Sequence, residues 1–301
     1  MPPAILTDMN TAAQVYTDRF IEEVGPILEP VRQFSTDFSE EFANTPGVAI
    51  PVPLVTGSEA GDWNKASKNY AMAEASDLDD VMVTIDQRKI AQFAISMEQL
   101  ATFRPAYWEG KARLNARAIG LAIRNSLFGL VTPANYAKEV EMKAASFAKG
   151  DVATLRRLAV ESGMEPDITA VCLNPVLFAA LLKSLSADVY GGREAIVGGV
   201  IPGLFGFRAV VECPNYNGNG FMALPSALAS ASRPIRPAHD TPYTVFETTT
   251  DESTGMAFNT VVLVNGNTGL TTLSSEANYG VAVGDKKALV RIVETATPVT
   301  P

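Results

Sequence analysis

The sequence predicts an α+β protein, and three stretches carry that prediction. Between Pro105 and Leu130 apolar residues recur at helical spacing over a length typical of a long buried helix. The stretch PYTVFETTTDESTGMAFNTVVLV, residues 242–264, alternates as strands do and folds back about Asp251–Gly255. Between these two, a strand-like ITAVCLNP, a helix-like PVLFAALLKSL, a glycine-rich run and a strand-like RAVVECP follow in order.

Composition sets the outer limits. A chain of 301 residues is long enough to bury a real core as one large domain or two smaller ones. With 47% hydrophobic and 19% charged residues it reads as globular rather than disordered. No apolar run approaches the roughly 18 residues of a membrane span, so a soluble protein is expected. The opening MPPAILTDMNTAAQVYTDRF has no basic region followed by an apolar stretch, and its lone cation, Arg19, comes late; no signal peptide is expected. The net charge of -9 argues against a dedicated nucleic-acid binder, which normally carries a basic excess.

The first 45 residues read as a poorly packed arm. Tyr16, Phe20, Val24 and Ile27 recur at three- and four-residue steps, which predicts a short amphipathic helix ending around Gly25 and Pro26. Phe34, Phe38 and Phe42 follow at four-residue steps among acids. An isolated arm cannot bury three phenylalanines, so a second surface is required, on the body or on a neighbouring subunit. VAIPVPLV, 48–55, reads as a strand whose prolines favour an edge. Residues 57–77 are polar apart from Trp63, Tyr70 and Met72, and strand character then resumes in VMVTI and KIAQFAISM. The pattern is a protruding hairpin with a long tip, and loops of that length inside compact domains usually bind something.

The long helix has Pro105 at its start and Pro133 just past its end. Ala112, Ala116, Ile119, Ile123, Leu127 and Leu130 form one apolar stripe, and Leu114, Ala118, Leu121 and Phe128 a second on nearly the opposite side. Two apolar sides predict a spine about 39 Å long packed between layers. A third line, Arg113, Arg117 and Arg124, runs between them. Its two readings are contact with enclosed nucleic acid and pairing with the acidic arm around Glu40 and Glu41; pairing is preferred. Residues 151–163 predict a helix with Asp151 as N-cap and Gly163 as its stop.

The residues show no reaction centre. The one histidine, His239, sits beside Asp240 in a proline-rich loop, which is weak support for acid–base work. Cys172 and Cys213 lack CxxC spacing and read as buried free thiols, suited to a reducing cytoplasm. Acidic clusters lack calcium-loop spacing, and no glycine cluster leads into GK[ST]. No catalytic residue, cofactor or metal is therefore expected. Arms and hairpins of this kind cost conformational entropy until a partner orders them, and a symmetric lattice supplies one.

At this point the chain resembles the major capsid proteins of tailed bacteriophages, with their Hong Kong 97-like capsid fold. The stretches that carry the likeness are CLNPVLFAALLKSL, VYGGREAIVGGVIPGLFGFRAVV, GFMALPSALASA and NYGVAVGDKKALVRIV. The resemblance implies an N-arm at 1–45, an extended β-hairpin loop at 46–88, and a peripheral domain at 89–150 with a spine helix at 105–131. It further implies an axial domain at 151–235, a return of the peripheral domain through its β-hairpin at 236–272, and closing axial strands at 273–301.

The implied function is a coat protein assembling into pentamers and hexamers of an icosahedral shell around double-stranded DNA held non-specifically. Expected inter-subunit contacts are Phe34, Phe38, Phe42, Trp63, Lys65, Lys68 and Tyr70. Some relatives cross-link a lysine of the extended loop to a neighbour's asparagine. Lys65 and Lys68 lie in that segment, although no partner asparagine can be assigned. Expected partners are further copies of the chain, a separate scaffolding protein, a portal and a decoration protein, with assembly in the bacterial cytoplasm and residence in the virion. The alternatives are an encapsulin-type shell around cargo enzymes and, last, an unrelated enzyme.

Overall fold

The computed structural model describes residues 3–39, 49–54, 79–96, 105–185, 199–214, 216, 218–234, 245–265 and 268–294. It opens with a 32-residue helix, α1 (Pro3–Phe34), which runs through both Pro26 and Pro30. The expectation of a short helix on a loose arm is therefore corrected. An internal proline removes a hydrogen bond and costs about 3 kcal/mol, but α1 is held by packing. Tyr16, Phe20, Val24, Leu28, Val31 and Phe34 line one face and are all buried in the main core.

Strand β1 (Ser35–Asp37) follows at once. β2 (Ala49–Leu54) and β3 (Asp79–Thr84) form an antiparallel hairpin in the expected place, while the polar tip between them lies outside the described residues. β4 (Gln87–Ser96) turns away from that hairpin and joins a different sheet. The long helix, α2 (Pro105–Phe128), starts at its predicted proline.

α2 lies against α1 and buries Ala112, Ala116, Ile119, Ile123 and Leu127, as the first stripe predicts, with Leu130 half-buried just beyond its end. The second stripe fails: Leu114 is 62% exposed and Ala118 is exposed, while Leu121 is half-buried and only Phe128 is buried. Within one subunit α2 therefore has a single covered side. The two helices approach closely at Gly120, where an added Cβ would sit 2.8 Å from Ile27 Cγ2.

Beneath them lies the first sheet, which unites β1, β10 (Leu228–Ser232), β13 (Leu270–Val283), β12 (Ala257–Asn265), β11 (Val245–Thr250) and β4. β13 is its axis. β4 and β12 both pair its residues 270–277, so they flank it on opposite edges. β10 takes its far end, residues 279–283. The β11–β12 hairpin turns at Asp251–Gly255 as the alternation predicts. Asp251 is buried in that turn and accepts from the Thr254 amide and from the hydroxyls of Ser253 and Thr254.

The second sheet runs β5 (Glu139–Met142), β14 (Leu289–Glu294), β9 (Gly220–Ala223), β6 (Ala170–Leu173), β8 (Ala209–Glu212) and β7 (Val200–Pro202). Helices α3 (Lys149–Glu161) and α4 (Pro175–Ser184) cover one face. The expected cap of α3 shifts by three residues. Ala148 holds the cap position, and Asp151 reaches back to accept from its backbone N–H at 2.8 Å. Gly163, at φ +78°, ends the helix as expected. Asn174 caps α4 through Leu177 N–H, with Pro175 at the first helical position.

Because side chains alternate along strands, this sheet serves two cores. Val171, Leu173, Val210 and Met222 meet α3 and α4, whereas Ala170, Cys172, Ala209, Val211 and Phe221 join the core of α1 and α2. The grouping of 273–301 with this sheet is corrected, since β13 belongs to the first sheet and only β14 to the second. Likewise β10, expected within the axial unit at 151–235, lies in the first sheet. A crossing between sheets leaves no mark in an alternation pattern that both sheets share.

Replacing Gly120 with leucine should overpack the α1–α2 contact and destabilise the chain by about 1–3 kcal/mol; thermal denaturation followed by circular dichroism measures it. The Tyr16 hydroxyl bonds Ser275 Oγ at 2.6 Å and receives Asn115 Nδ2 at 2.7 Å. Burial pushes its pKa up to about 12 despite these bonds, against 10.0 for a free phenol. With the folded value raised, the stabilisation is whole below about pH 10 and is lost as pH climbs towards 12, on the order of 2–3 kcal/mol in all. Tyr16→Phe should flatten that alkaline loss in denaturant titrations at pH 9 and pH 11.5.

Candidate assembly surfaces

The residues expected to touch neighbours divide sharply. Phe34 is fully buried in its own chain, with ring edges packed against Phe128 and Phe221 at centroid distances of 6.0 and 4.9 Å. It cannot be an inter-subunit contact, and that expectation is corrected. The helical spacing from Phe34 to Phe38 is illusory because the intervening residues are strand. Phe38 is half-buried against the small cluster of Val83, Ile85, Ala229 and Ala231. Phe42, Trp63, Lys65, Lys68, Tyr70 and His239 lie outside the described residues.

The arginine line also breaks into three environments. Arg113 Nε pairs with Glu23 Oε1 on α1 at 3.1 Å, and Arg19 pairs with Glu22 at 2.7 Å and with the same Glu23. The partner of Arg113 is thus α1 rather than the arm around Glu40 and Glu41. Arg117 is exposed and has no ion pair among the described residues. Arg124 is only 5% exposed; its Nη2 donates to the Pro214 carbonyl at 2.7 Å and its Nε has no hydrogen-bond partner among the described residues. Burial lowers its pKa. A guanidinium enclosed this way cannot face nucleic acid, so the reading of Arg124 as DNA-facing or ion-paired is corrected.

Beside Arg124 lie Cys172 and Cys213, both free and buried. Sequence separation hides their proximity. β6 and β8 are parallel neighbours, and the Cys213 N–H donates to the Leu173 carbonyl at 2.8 Å. The two thiols are in hydrogen-bonding contact, and burial pushes the Cys172 thiol well up. A thiol held protonated is a poor nucleophile.

A recess of about 830 Å³ opens between the end of α2 (Asn125, Phe128, Gly129), Tyr216 and β14. Its charged lining is Arg291 and Glu294, and Arg291 is already engaged by Glu139 and the Tyr136 carbonyl. That arrangement offers no paired acid and base. No group of three or more His, Cys, Asp or Glu side chains gathers to hold a metal among the described residues.

What the surface does offer is exposed apolar area. Leu114 and Tyr107 project from α2 and Ile90 from β4. Around them are Lys111, whose Nζ lies 5.6 Å from the ring centroids of both Phe93 and Tyr107, and the exposed Arg113 and Arg117. Further exposed apolar side chains, Val160, Ile168 and Val176, flank α3 and α4. No described helix is long and apolar enough to cross a membrane.

Replacing Arg124 with methionine should change stability by no more than about 1–2 kcal/mol in either direction, because the desolvation cost of the charge is removed along with one hydrogen bond. Urea denaturation measures this.

No protein-family model and no curated relative matches the chain. Solved structures do. A structure from Mycobacterium phage Che8 is similar at 18% identity and TM-score 0.54, covering 86% of this chain and 88% of that one. The capsid structure of cyanophage P-SCSP1u is similar at 12% identity and TM-score 0.53, with 87% of each chain covered. The virus-like particle from Pyrococcus furiosus is similar at 10% identity and TM-score 0.52, covering 94% of this chain and 98% of that one. With its long paired helices, two six-stranded sheets and separate β2–β3 hairpin, the chain has the fold of tailed-phage major capsid proteins, the Hong Kong 97-like fold.

Proposed function

We propose that this chain is the coat subunit of a phage capsid, assembling with itself into pentamers and hexamers of an icosahedral shell around double-stranded DNA. The observation that carries this reading is the extent of the likeness. The bulk of both chains is covered, 86–88% in the two phage matches, and the matched structures include a phage capsid structure. The exposed apolar residues on α2, β4, α3 and α4 add support, since exposed apolar area of this kind marks contact surfaces.

On this reading α1, α2 and the first sheet form the peripheral domain, and the second sheet with α3 and α4 forms the axial domain. The β2–β3 hairpin begins the extended loop, whose Trp63, Lys65, Lys68 and Tyr70 contact neighbours. Arg113 and Arg117 lie on the exposed side of the spine, where many copies would add weak, salt-sensitive attraction for enclosed DNA. The net charge of -9 keeps that attraction from becoming adhesion over the whole surface. A separate scaffolding protein, a portal and a decoration protein complete the set of partners. Assembly takes place in the bacterial cytoplasm, and the protein ends in the virion.

A second reading, an encapsulin-type shell around cargo enzymes, is favoured by the near-complete match to the Pyrococcus furiosus virus-like particle. Negative-stain microscopy of the expressed chain should show uniform closed shells or free pentamers and hexamers. A stable monomer at high concentration would overturn the shell reading. Nuclease treatment of particles from infected cells separates the two: protected double-stranded DNA supports the phage coat, and protected enzyme with no DNA supports the cargo shell.

A further inference from the structure

Two unlike patches lie on the layer of α3 and α4. The first is a groove of about 550 Å³ between α4 and the turn before α3, lined by Ala144, Phe147, Val176, Ala179, Ala180 and Lys183. Val176 stands at its edge, 62% exposed. Its one charged lining residue is Lys183, and the Lys149 backbone amide donates to Ser184 Oγ in its wall. The nearby Asp151 carboxylate accepts from the Ala148 amide and is directed to the start of α3.

The second patch is the turn that leads from α3 to β6. Val160 and Ile168 flank it, 59% and 43% exposed. Between and beside them the exposed acids are Glu161, Glu165 and Asp167, with Arg157 pairing Glu161 and the exposed Arg208 donating its amide to the Thr169 carbonyl. The turn is rigid. The Met164 amide donates to Ala159 O, and Thr169 bonds the Glu165 carbonyl through both its amide and its hydroxyl.

These patches match in chemistry but cannot meet within one chain. The start of α3 touches the groove wall, and the acidic turn lies at the other end of α3, about 20 Å away for 13 residues. We propose that the groove of each copy receives the acidic turn of the next copy, so that Val160 and Ile168 enter beside Val176 while Glu165 and Asp167 meet Lys183. Two different patches joined this way make a head-to-tail contact, which repeats around a ring. The proposal rests on the shell reading and adds to it the surfaces that set the order of subunits within one ring.

Charge reversal tests it. Lys183→Glu and Asp167→Lys should each lower the assembled fraction, read by gradient sedimentation and negative stain, by roughly tenfold or more. The double variant should recover most of the loss. Single variants that assemble like the wild type, or a double variant no better than either single, overturn the proposal and leave the shell reading standing. A wild-type chain that forms no assembly overturns both. Should the charge variants fail to fold, a chain carrying Val176→Cys and Ile168→Cys decides the matter. Oxidised particles should give a ladder of disulfide-linked copies in denaturing gels, and intact particles yielding only monomer would sink the idea.

Discussion

The burial of α1 against α2 is the contact on which the first half of the structure depends. It turns a segment with two internal prolines into a continuous helix, because six large apolar side chains on one face outweigh the hydrogen bonds those prolines remove. It also favours glycine at position 120, where an added Cβ would sit 2.8 Å from Ile27 Cγ2 and force that side chain to move. Once the pair is formed, α1 is fixed to the sheet below. Tyr16 reaches Ser275, Thr17 Oγ1 donates to Thr260 Oγ1, and an added side chain at Gly25 would meet Asp251 of the β11–β12 turn at 3.3 Å. The end of α1 then feeds β1 into a parallel pairing with β10.

The second sheet extends this order to the other half of the molecule. Its strands carry small residues, Ala170, Cys172 and Ala209, on the face shared with α1 and α2, and larger ones, Val171, Leu173 and Met222, on the face under α3 and α4. Small side chains let the helical layer sit close, and Phe34, Phe128, Tyr216 and Phe221 fill the seam edge to face. The buried Arg124 and the two thiols sit at that seam. The seam is therefore packing, and the surfaces left for other molecules lie outside it.

Much of this was legible in the residues, and the failures have physical causes. The α2 stripe, the β11–β12 hairpin and the Gly163 stop all depend on neighbours a few residues away, and each was readable. The continuous α1 was not, since local rules end a helix near Pro26 and only a distant partner reverses that outcome. Phe34 was misread for the same reason: its burial depends on Phe221, remote in sequence. The approach of Cys172 to Cys213 required knowing that β6 and β8 are parallel neighbours. Of the expected contact residues, the spine arginines were separable only by burial, which no periodicity distinguishes.

The bonds joining Tyr16 to Ser275 and Thr17 to Thr260 span 259 and 243 residues of chain. A ribosome delivers the N-terminus first and those strands nearly last. At about 5–20 residues per second, the apolar face of α1 waits on the order of tens of seconds for the surface that will cover it. Throughout that interval the nascent chain carries a long unsheltered apolar helix in a crowded polysome where identical chains emerge side by side. Premature association between sibling chains is therefore the hazard this topology creates, and it arises during synthesis rather than after it.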